Sequence, residues 1–283
     1  MANKSCATNL LEFLDKITSE VDNGNPVDVV YLDFSKAFDT VPIRRLVGKL
    51  RAHRVVGNVL RWFENWLTGR QQRTVLNGEA SDWAEVESGV PQGSVLGTLA
   101  ILVYINDLDT CTTLVSIMNK FADDTKLGHK VTTAEDRQDL QSTLDQLMEW
   151  AETWKMGFNV DKCKVMHLGH RNPQQEYKMG GKALTVTEEE RDIGVVVEKS
   201  LKPTKQCLEA TRKANMVLGQ ITRSFYYRDR FVFLRLYKQF VRVHLEFSVV
   251  SWSPWTQADI MAIEKVQIRA VNMVTGLKGQ TYE

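Results

Sequence analysis

Short apolar runs of strand length alternate with helical patterns up to about residue 200, and this alternation restricts the fold more than any other feature. The clearest run, Val27 to Asp33, is rich in β-branched residues and predicts a buried strand that ends on an aspartate. Beyond Pro203 only helical spacings remain, and they predict three helices, over about 204–224, 230–250 and 258–275. The pattern therefore predicts an α+β region over 1–200 and an all-α region over 201–283.

Charge is distributed unevenly, although the net formal charge is only +1. The last 83 residues, from Leu201 to Glu283, carry 13 Lys and Arg against 6 Asp and Glu, so their net charge is +7 and that of the first 200 residues is −6. The overall balance excludes a uniformly basic protein that coats nucleic acid. An acidic front and a basic back fit a metal-binding part joined to a polyanion-binding part, although two unrelated surfaces would give the same numbers.

The cysteines and the N-terminus bear on the cellular compartment. The four cysteines are scattered, without the spacing of a zinc site or of a disulfide framework, which is typical of a reduced protein. The first residues are polar and lack the apolar core of a signal peptide. The longest apolar run, Val95 to Ile105, is shorter than the roughly 20 residues that cross a bilayer. We therefore expect an intracellular protein, in the nucleus or the cytoplasm, with no membrane partner.

Two acidic sites lie where predicted strands end or turn. Asp33 follows an apolar strand, and Asp123 and Asp124 lie in a turn between two apolar runs. If these strands are neighbours, three carboxylates meet at one sheet edge, where they repel one another unless cations lie between them. Two hard divalent ions about 3.5–4 Å apart would suit such a site. Singly, each site has an ordinary explanation as a turn former or a strand cap.

A third segment, Ser88 to Gly97, lies between these two sites in the sequence. It is a loop rich in glycine and proline that leads into a helix, where the backbone can approach a ligand closely and present N–H groups. Alone, it is compatible with an ordinary connection between a strand and a helix. Its order relative to the two acidic sites makes the combination informative.

Several segments, taken in their order along the chain, resemble the reverse transcriptases of non-LTR (LINE) retrotransposons, most closely those of jockey-like mobile elements. The segments that resemble motifs A, B, C, D and E are Tyr31–Val41 (YLDFSKAFDTV), Ser88–Gly97 (SGVPQGSVLG), Phe121–Asp124 (FADD), Gly157–Lys164 (GFNVDKCK) and Asp192–Val195 (DIGV). The resemblance implies a right-hand polymerase fold, with the palm and part of the fingers in 1–200 and a helical thumb in 201–283. It also implies an RNA-directed DNA polymerase, a nucleotidyltransferase that extends a DNA primer on an RNA template.

The resemblance assigns the reaction centre to four residues. Asp33, Asp123 and Asp124 match the carboxylates that bind two Mg²⁺ ions, with Mn²⁺ as a possible substitute. Lys162 matches the motif D lysine, a candidate proton donor to the pyrophosphate leaving group. These four residues are the predicted catalytic residues.

The resemblance also assigns a nucleotide site. Phe34 and Phe38 belong to the motif A segment beside the incoming dNTP, and Phe38 occupies the position of the aromatic ring that excludes a ribose 2′-OH. Gln92 and Gly93 belong to the loop beside the nucleotide and the template. These four residues are the predicted nucleotide-binding residues.

Basic residues on the first predicted thumb helix are candidates for contact with the RNA–DNA hybrid. They are Lys205, Arg212, Lys213 and Arg223. Arg212 and Arg223 are eleven residues apart, about three helical turns, so they share a face. Contacts of this kind would follow the phosphate backbone without reading sequence. The alternative is an ordinary solvated helix surface.

The start of the chain leaves two functional hypotheses open. Only about thirty residues precede motif A, whereas the family has a larger fingers region upstream, so we expect an N-terminally truncated reverse transcriptase. One hypothesis is an active polymerase module. The other is a catalytically inactive remnant, derived from a retroelement, that binds nucleic acid; truncated fingers favour it and the intact acidic triad opposes it. An unrelated interaction scaffold would need every motif match to be accidental.

Overall fold

A computed structural model describes residues 5–111 and 114–277 of the 283-residue chain. The α-helices are α1 (Cys6–Asp22), α2 (Ala37–Thr40), α3 (Ile43–Ala52), α4 (Gly57–Leu67), α5 (Val95–Tyr104), α6 (Ala134–Trp154), α7 (Thr204–Ser224), α8 (Arg230–Leu236), α9 (Arg242–Glu246) and α10 (Gln257–Asn272). The strands are β1 (Val27–Leu32), β2 (Gln71–Gln72), β3 (Val75–Leu76), β4 (Glu79–Ala80), β5 (Ala84–Glu85), β6 (Ile117–Phe121), β7 (Asp124–Lys130), β8 (Lys164–Leu168), β9 (Lys178–Met179), β10 (Lys182–Ala183), β11 (Thr185–Val186), β12 (Glu189–Asp192) and β13 (Val195–Glu198).

The predicted α+β class is confirmed. Every described strand precedes residue 200, and from there to residue 277 the regular elements are helical. The middle helix of the predicted three is interrupted: a π-helical turn, Tyr237–Val241, separates α8 from α9. It also ends early, because Ser248 adopts a left-handed backbone conformation with φ 53°. No helix within the described ranges is both long enough and apolar enough to cross a lipid bilayer.

The chain forms two compact units. One is Glu20–Thr187, and the other joins the described residues up to Ser19 to those from Glu188 onward. The predicted division at residue 200 differs from this one, because β12 pairs only with β13 in the described chain and Val195 of that hairpin packs in one cluster with Leu10 and Cys207.

A five-stranded sheet organises the unit Glu20–Thr187. Its order is β11-β8-β1-β7-β6, and all neighbours are antiparallel except β11 and β8. Because β1 has a partner on each side, five of its six residues are buried, which explains its nearly continuous apolar sequence. Val30 and Leu32 of β1 belong to the main core of this unit, together with Leu140 and Leu147 of α6. This core fixes the strand end that carries Asp33.

Helices form the core of the other unit. Ala214 and Leu218 on one stripe of α7 pack with Phe233 of α8, Val241 and Val266. Val241 belongs to the π-helical turn and Val266 to α10. The apolar stripe of α7 therefore packs against α8, the π-helical turn and α10.

Candidate active site

The strand register brings the acidic motifs to one edge of the sheet. The ladder between β1 and β7 ends at the Leu32–Thr125 pair, so Asp33 follows β1 at the end where Asp124 begins β7. The β6–β7 hairpin is closed by the Phe121–Asp124 pair, which leaves Ala122 and Asp123 as its two-residue turn. Residues directly opposite in antiparallel strands have Cα atoms about 4.5–5.5 Å apart. The backbone therefore places Asp33, Asp123 and Asp124 beside one another.

The carboxylates at this edge are accessible to solvent. The Asp33 side chain is 40 % exposed, and its Oδ1 lies 3.7 Å from Nζ of Lys162, itself 66 % exposed. Within residues 5–111 and 114–277, no three carboxylate, imidazole or thiol groups are already gathered into a metal cage. Side-chain rotation at the adjacent strand ends would have to complete the ligand set. Exposed carboxylate oxygens on neighbouring strands are the donors that hard divalent cations prefer, so the residues present fit such ions.

The loop that carries Lys162 is tied to the backbone of Asp33. The amide of Asn159 donates to the carbonyl of Asp33 over 2.8 Å, and the amide of Asp33 approaches Sγ of Cys163 at 3.4 Å. Cys163 is fully buried, and this burial raises the pKa of its thiol to about 11. Cys163 is thus a packed, protonated support beneath the strand end, and sequence reasoning did not identify it.

Phe34 lies in the core and not in an open pocket. Its side chain is 6 % exposed, and its ring stacks on that of Phe158 with centroids 4.5 Å apart. A second aromatic neighbour, Trp150, lies 6.2 Å away. The Phe34 ring therefore has no open face for a nucleotide, and its contribution to the site is to fix the segment that follows Asp33.

Phe38 and Gln92 line one open pocket of about 350 Å³. The pocket lies where the loop after β5 packs on α2: the amide of Gly89 donates to the carbonyl of Val41 over 2.8 Å, and that of Val90 donates to the carbonyl of Phe38 over 2.7 Å. Phe38 is half-buried and Gln92 is exposed. The two segments predicted to meet the nucleotide are thus brought together by backbone hydrogen bonds.

Gly93 continues this loop toward α5. It is exposed and has φ +80°, a left-handed conformation that glycine adopts without strain. Ser94 follows as the N-cap of α5, and its Oγ accepts from the amide of Gly97 over 2.9 Å. The turn at Gly93 and the cap at Ser94 therefore fix the backbone that directly follows Gln92.

Arg70 is a lining residue of the same pocket that sequence reasoning missed. Its Nη2 donates to the carbonyl of Gly89 over 2.6 Å, and its Nε donates to the carbonyl of Leu67 over 2.9 Å. Desolvation lowers the pKa of Arg70 from its ordinary value. Arg70 therefore clamps the Gly89 turn to the end of α4, and nothing in its local sequence, between Gly69 and Gln71, indicates such a contact.

The four basic residues predicted to contact the hybrid differ in their electrostatic state. Lys205 pairs with Glu189 and Glu198, and Arg212 donates two hydrogen bonds to the carboxylate of Glu209. These contacts raise the pKa of both basic groups. Two of the four are therefore neutralised locally.

The other two basic residues of α7 are not paired in this way. Lys213 is half-buried and Arg223 is exposed, and across the described ranges neither makes an ion pair. On α7 itself, Arg223 is thus the most available of the four predicted contacts for a phosphate.

Comparison with known proteins places these features in a family. Residues 5–216 match the family model described as reverse transcriptase (RNA-dependent DNA polymerase). The chain is 23 % identical over 272 residues to a probable RNA-directed DNA polymerase from transposon X-element of Drosophila melanogaster, covering 93 % of this chain and 30 % of that protein. It is 27 % identical over 179 residues to the RNA-directed DNA polymerase from mobile element jockey of Drosophila funebris, covering 60 % of this chain and 19 % of that protein. The chain thus spans less than a third of either relative.

Solved structures of low sequence identity share the fold. Apo telomerase from Candida tropicalis gives a TM-score of 0.54 at 13 % identity, over 94 % of this chain and 44 % of that one. Telomerase from Candida albicans, in complex with a fragment of telomeric RNA, gives 0.53 at 10 % identity, over 96 % and 52 %. The resemblance to jockey-like retrotransposon enzymes is confirmed by the relatives. The chain belongs to the reverse transcriptase family, whose members are in general polymerases that depend on divalent metal ions.

Proposed function

We propose that the chain is the polymerase module of a jockey-like element and catalyses RNA-directed DNA synthesis. The observation that carries this proposal is that the strand register brings the end of β1, followed by Asp33, and the β6–β7 turn at Asp123 and Asp124 to one sheet edge. The pocket lined by Phe38 and Gln92 supports it, because it supplies space for a nucleotide in the same unit. The products are a primer extended by one nucleotide and pyrophosphate.

The three carboxylates would hold two Mg²⁺ ions, or Mn²⁺ in their place. When bound, these ions favour ionisation of the primer 3′-OH and stabilise the charge of the departing pyrophosphate. Lys162, whose Nζ is 3.7 Å from Asp33, is within reach of the leaving group as a proton donor. Phe38 would pack against the sugar and exclude a 2′-OH, while Gln92 and Gly93 would lie beside the base and the template.

The proposed partners are an RNA template, a DNA primer and dNTPs. The Candida albicans telomerase of the same fold is in complex with an RNA fragment, which supports an RNA partner here. We assign 1–200 to the palm with part of the fingers and 201–283 to the thumb. In this proposal Arg223 and Lys213 are the contacts of α7 with the hybrid, because Lys205 and Arg212 are already paired with glutamates.

Primer extension on an RNA template with dNTPs and Mg²⁺ or Mn²⁺ tests the proposal. We expect Asp123→Asn to abolish extension, since it removes a ligand charge at the sheet edge. The matched control is Asp145→Asn, which changes an exposed aspartate of α6 in the same unit. Extension that survives Asp123→Asn would contradict the assignment of the triad. Binding of hybrid without extension by the unmodified chain would identify it instead as the inactive remnant.

Metal binding provides a measurement that does not depend on activity. We expect Mn²⁺ bound by the chain, followed by electron paramagnetic resonance, to weaken in Asp33→Asn and to persist in Asp145→Asn. Equal binding by both variants would contradict the proposed metal ligands.

Sugar selection tests the role of Phe38. Phe38→Ala should increase the use of ribonucleotides relative to deoxyribonucleotides, because it removes the ring next to the proposed sugar site. Mn²⁺ binding should persist, since Phe38 is not a ligand. Unchanged discrimination in an active preparation would exclude Phe38 from this role.

A further inference from the structure

The segment 226–238 has an excess of positive charge that the described structure does not compensate. It contains Arg228, Arg230, Arg235 and Lys238 but only one acidic residue, Asp229. Arg230, Arg235 and Lys238 are exposed, and none of them makes an ion pair within residues 5–111 and 114–277. Other basic side chains of the same unit are paired with glutamates, as in Lys205–Glu198 and Arg242–Glu246. In the described chain Lys213 and Arg223 of α7 are also unpaired, but the 226–238 segment brings three exposed, unpaired cations within nine residues.

The same segment exposes aromatic rings. Tyr226 is 101 % exposed, Tyr227 is 69 % exposed and Phe231 is 80 % exposed. Single exposed apolar side chains are common, whereas several that are grouped together mark an interaction site. Rings interleaved with unpaired cations are typical of surfaces that stack unpaired bases and neutralise the phosphates between them.

The backbone beneath the two tyrosines is held in place. The side chain of Arg228 donates through Nε to the carbonyl of Met273 over 2.9 Å and through Nη1 to the carbonyl of Phe225 over 2.8 Å. The amide of Thr275 donates to the carbonyl of Arg228 over 3.0 Å. The tyrosines therefore project from an anchored loop, so a ligand that stacks on them does not have to order the backbone first.

The carboxylate of the single acidic residue in the segment accepts hydrogen bonds from the backbone. Asp229 caps α8, and its Oδ1 accepts from the amides of Phe231 and Val232 over 2.8 and 3.2 Å. It does not pair with a basic side chain in the described structure. An anionic ligand would therefore meet three cationic side chains whose charge this aspartate does not neutralise.

Helical geometry places the charges of α8 around an aromatic centre. Lys238 lies in the π-helical turn that directly follows α8. Arg235 falls about 40° beyond Phe231, and Arg230 lies one residue before it. This spacing suits a strand whose bases stack on the ring and whose phosphates lie on either side.

We propose that Tyr226, Tyr227, Arg230, Phe231, Arg235 and Lys238, here called the aromatic–basic surface, bind single-stranded nucleic acid. The inference deepens the proposed function, because it assigns the unpaired part of a template or primer to this surface and leaves the base-paired part to α7. The surface requires no metal ion and no dNTP. Its binding can therefore be measured separately from polymerisation.

The stacking contribution is tested with the full chain and labelled oligo(U) or oligo(dT) in EDTA, followed by fluorescence anisotropy. We expect the double variant Tyr226→Leu/Tyr227→Leu to weaken binding between about 5-fold and 150-fold for each base that is stacked. The variant Tyr226→Phe/Tyr227→Phe should restore the affinity, because it keeps the rings. The matched control Trp255→Leu removes a ring that is 67 % exposed outside the surface and should leave the affinity unchanged.

The charge contribution is tested through the salt dependence of the same binding. Each of Arg230→Gln, Arg235→Gln and Lys238→Gln should reduce the slope of log K against log salt by about 0.7 for each phosphate that the side chain neutralises. Arg242→Gln is the control, since Arg242 is 2.6 Å from Glu246. Because these side chains are exposed, thermal unfolding should show that all the variants remain folded.

Three results would overturn the proposal. The first is equal affinity of the Tyr→Leu and Tyr→Phe double variants for single strands. The second is the same loss of affinity for blunt RNA–DNA hybrid as for single strands, which would indicate a duplex surface. The third is binding of anionic vesicles that depends on these residues while single-strand affinity does not, which would indicate a lipid surface. Failure of primer extension alone would contradict only the polymerase proposal, because the binding assay contains no dNTP.

Discussion

Gly89 is where the loop predicted to meet the nucleotide comes closest to α2, and its replacement by alanine has an effect that the structure predicts in magnitude. A Cβ at Gly89 would lie 2.5 Å from the carbonyl oxygen of Phe38 and 2.7 Å from both Cα and the carbonyl oxygen of Asp39. These are backbone atoms, which cannot rotate away as a flexible side chain would. Gly89 also has φ +82°, where an L side chain is strained.

The two costs can be separated with a matched variant. Gly78, in the β3–β4 hairpin, has φ +90°, and a Cβ added there would have no atom within 4 Å, so Gly78→Ala measures the backbone strain alone. We expect it to lower the free energy of unfolding by roughly 1–2 kcal/mol. Gly89→Ala should cost about 1–3 kcal/mol more, because overpacking against rigid atoms is added.

Urea unfolding followed by tryptophan fluorescence compares the two variants. In an active preparation, Gly89→Ala should also raise KM for the dNTP, since moving α2 displaces Phe38 in the pocket. Gly78→Ala should leave KM unchanged. Equal losses of stability in the two variants would refute the reasoning, because they would show that the loop and α2 separate at no cost.

The remaining predictions concern two buried groups. Burial raises the pKa of Cys163 from 9.0 to about 11, so its thiol favours the folded state below pH 9 and loses this contribution as the pH rises to 11. Urea titrations of the unmodified chain should therefore show that the free energy of unfolding falls by up to about 3 kcal/mol over this pH window. This fall should be absent in Cys163→Ala. Lys49, 7 % exposed, has its Nζ 2.6 Å from Asp107 and 3.6 Å from the centroid of Trp154, so Lys49→Met should cost about 2 kcal/mol by thermal or urea unfolding. Lys16→Met, at an exposed ion pair, should change stability by less than about 0.5 kcal/mol; equal effects of the two would contradict a structural role for the Lys49 contacts.

Local sequence signals predicted the elements that depend on nearby residues. The helix predicted over 204–224 is α7 with the same bounds. The Asn-Gly pair at 77–78, a typical hairpin signal, joins β3 to β4, with positive φ at both residues as a tight hairpin requires. Thr133 and Asp136, spaced as a capping box requires, form one at the start of α6. In each case the signal lies within the element that it specifies or directly beside it.

Long-range pairing was not available from the same signals. The order β11-β8-β1-β7-β6 depends on which strands of similar composition become neighbours, and the sequence contains several candidates. Asp28 is the clearest consequence: it interrupts an apolar strand, yet it is fully buried because His167 and Tyr177 reach it from distant segments, each over 2.7 Å. Burial and this contact raise the pKa of Tyr177. A buried aspartate with such partners cannot be distinguished by sequence alone from a functional one.

Charge counting predicted the basic part of the chain but not where its charge is available. In the sequence, the excess of positive charge from residue 201 onward is spread over all the helices. In the structure, glutamates of β12, β13 and α7 form ion pairs with Lys205 and Arg212. A net charge sums over paired and unpaired groups alike, but a phosphate binds more strongly to a cation that no carboxylate has already neutralised. The proposed nucleic-acid contacts therefore lie not at the start of α7 but at Arg223 and on the aromatic–basic surface, where unpaired cations and exposed rings occur together. The sign of the charge follows from the sequence, whereas its location follows from the fold, because only the fold determines which side chains are close enough to pair.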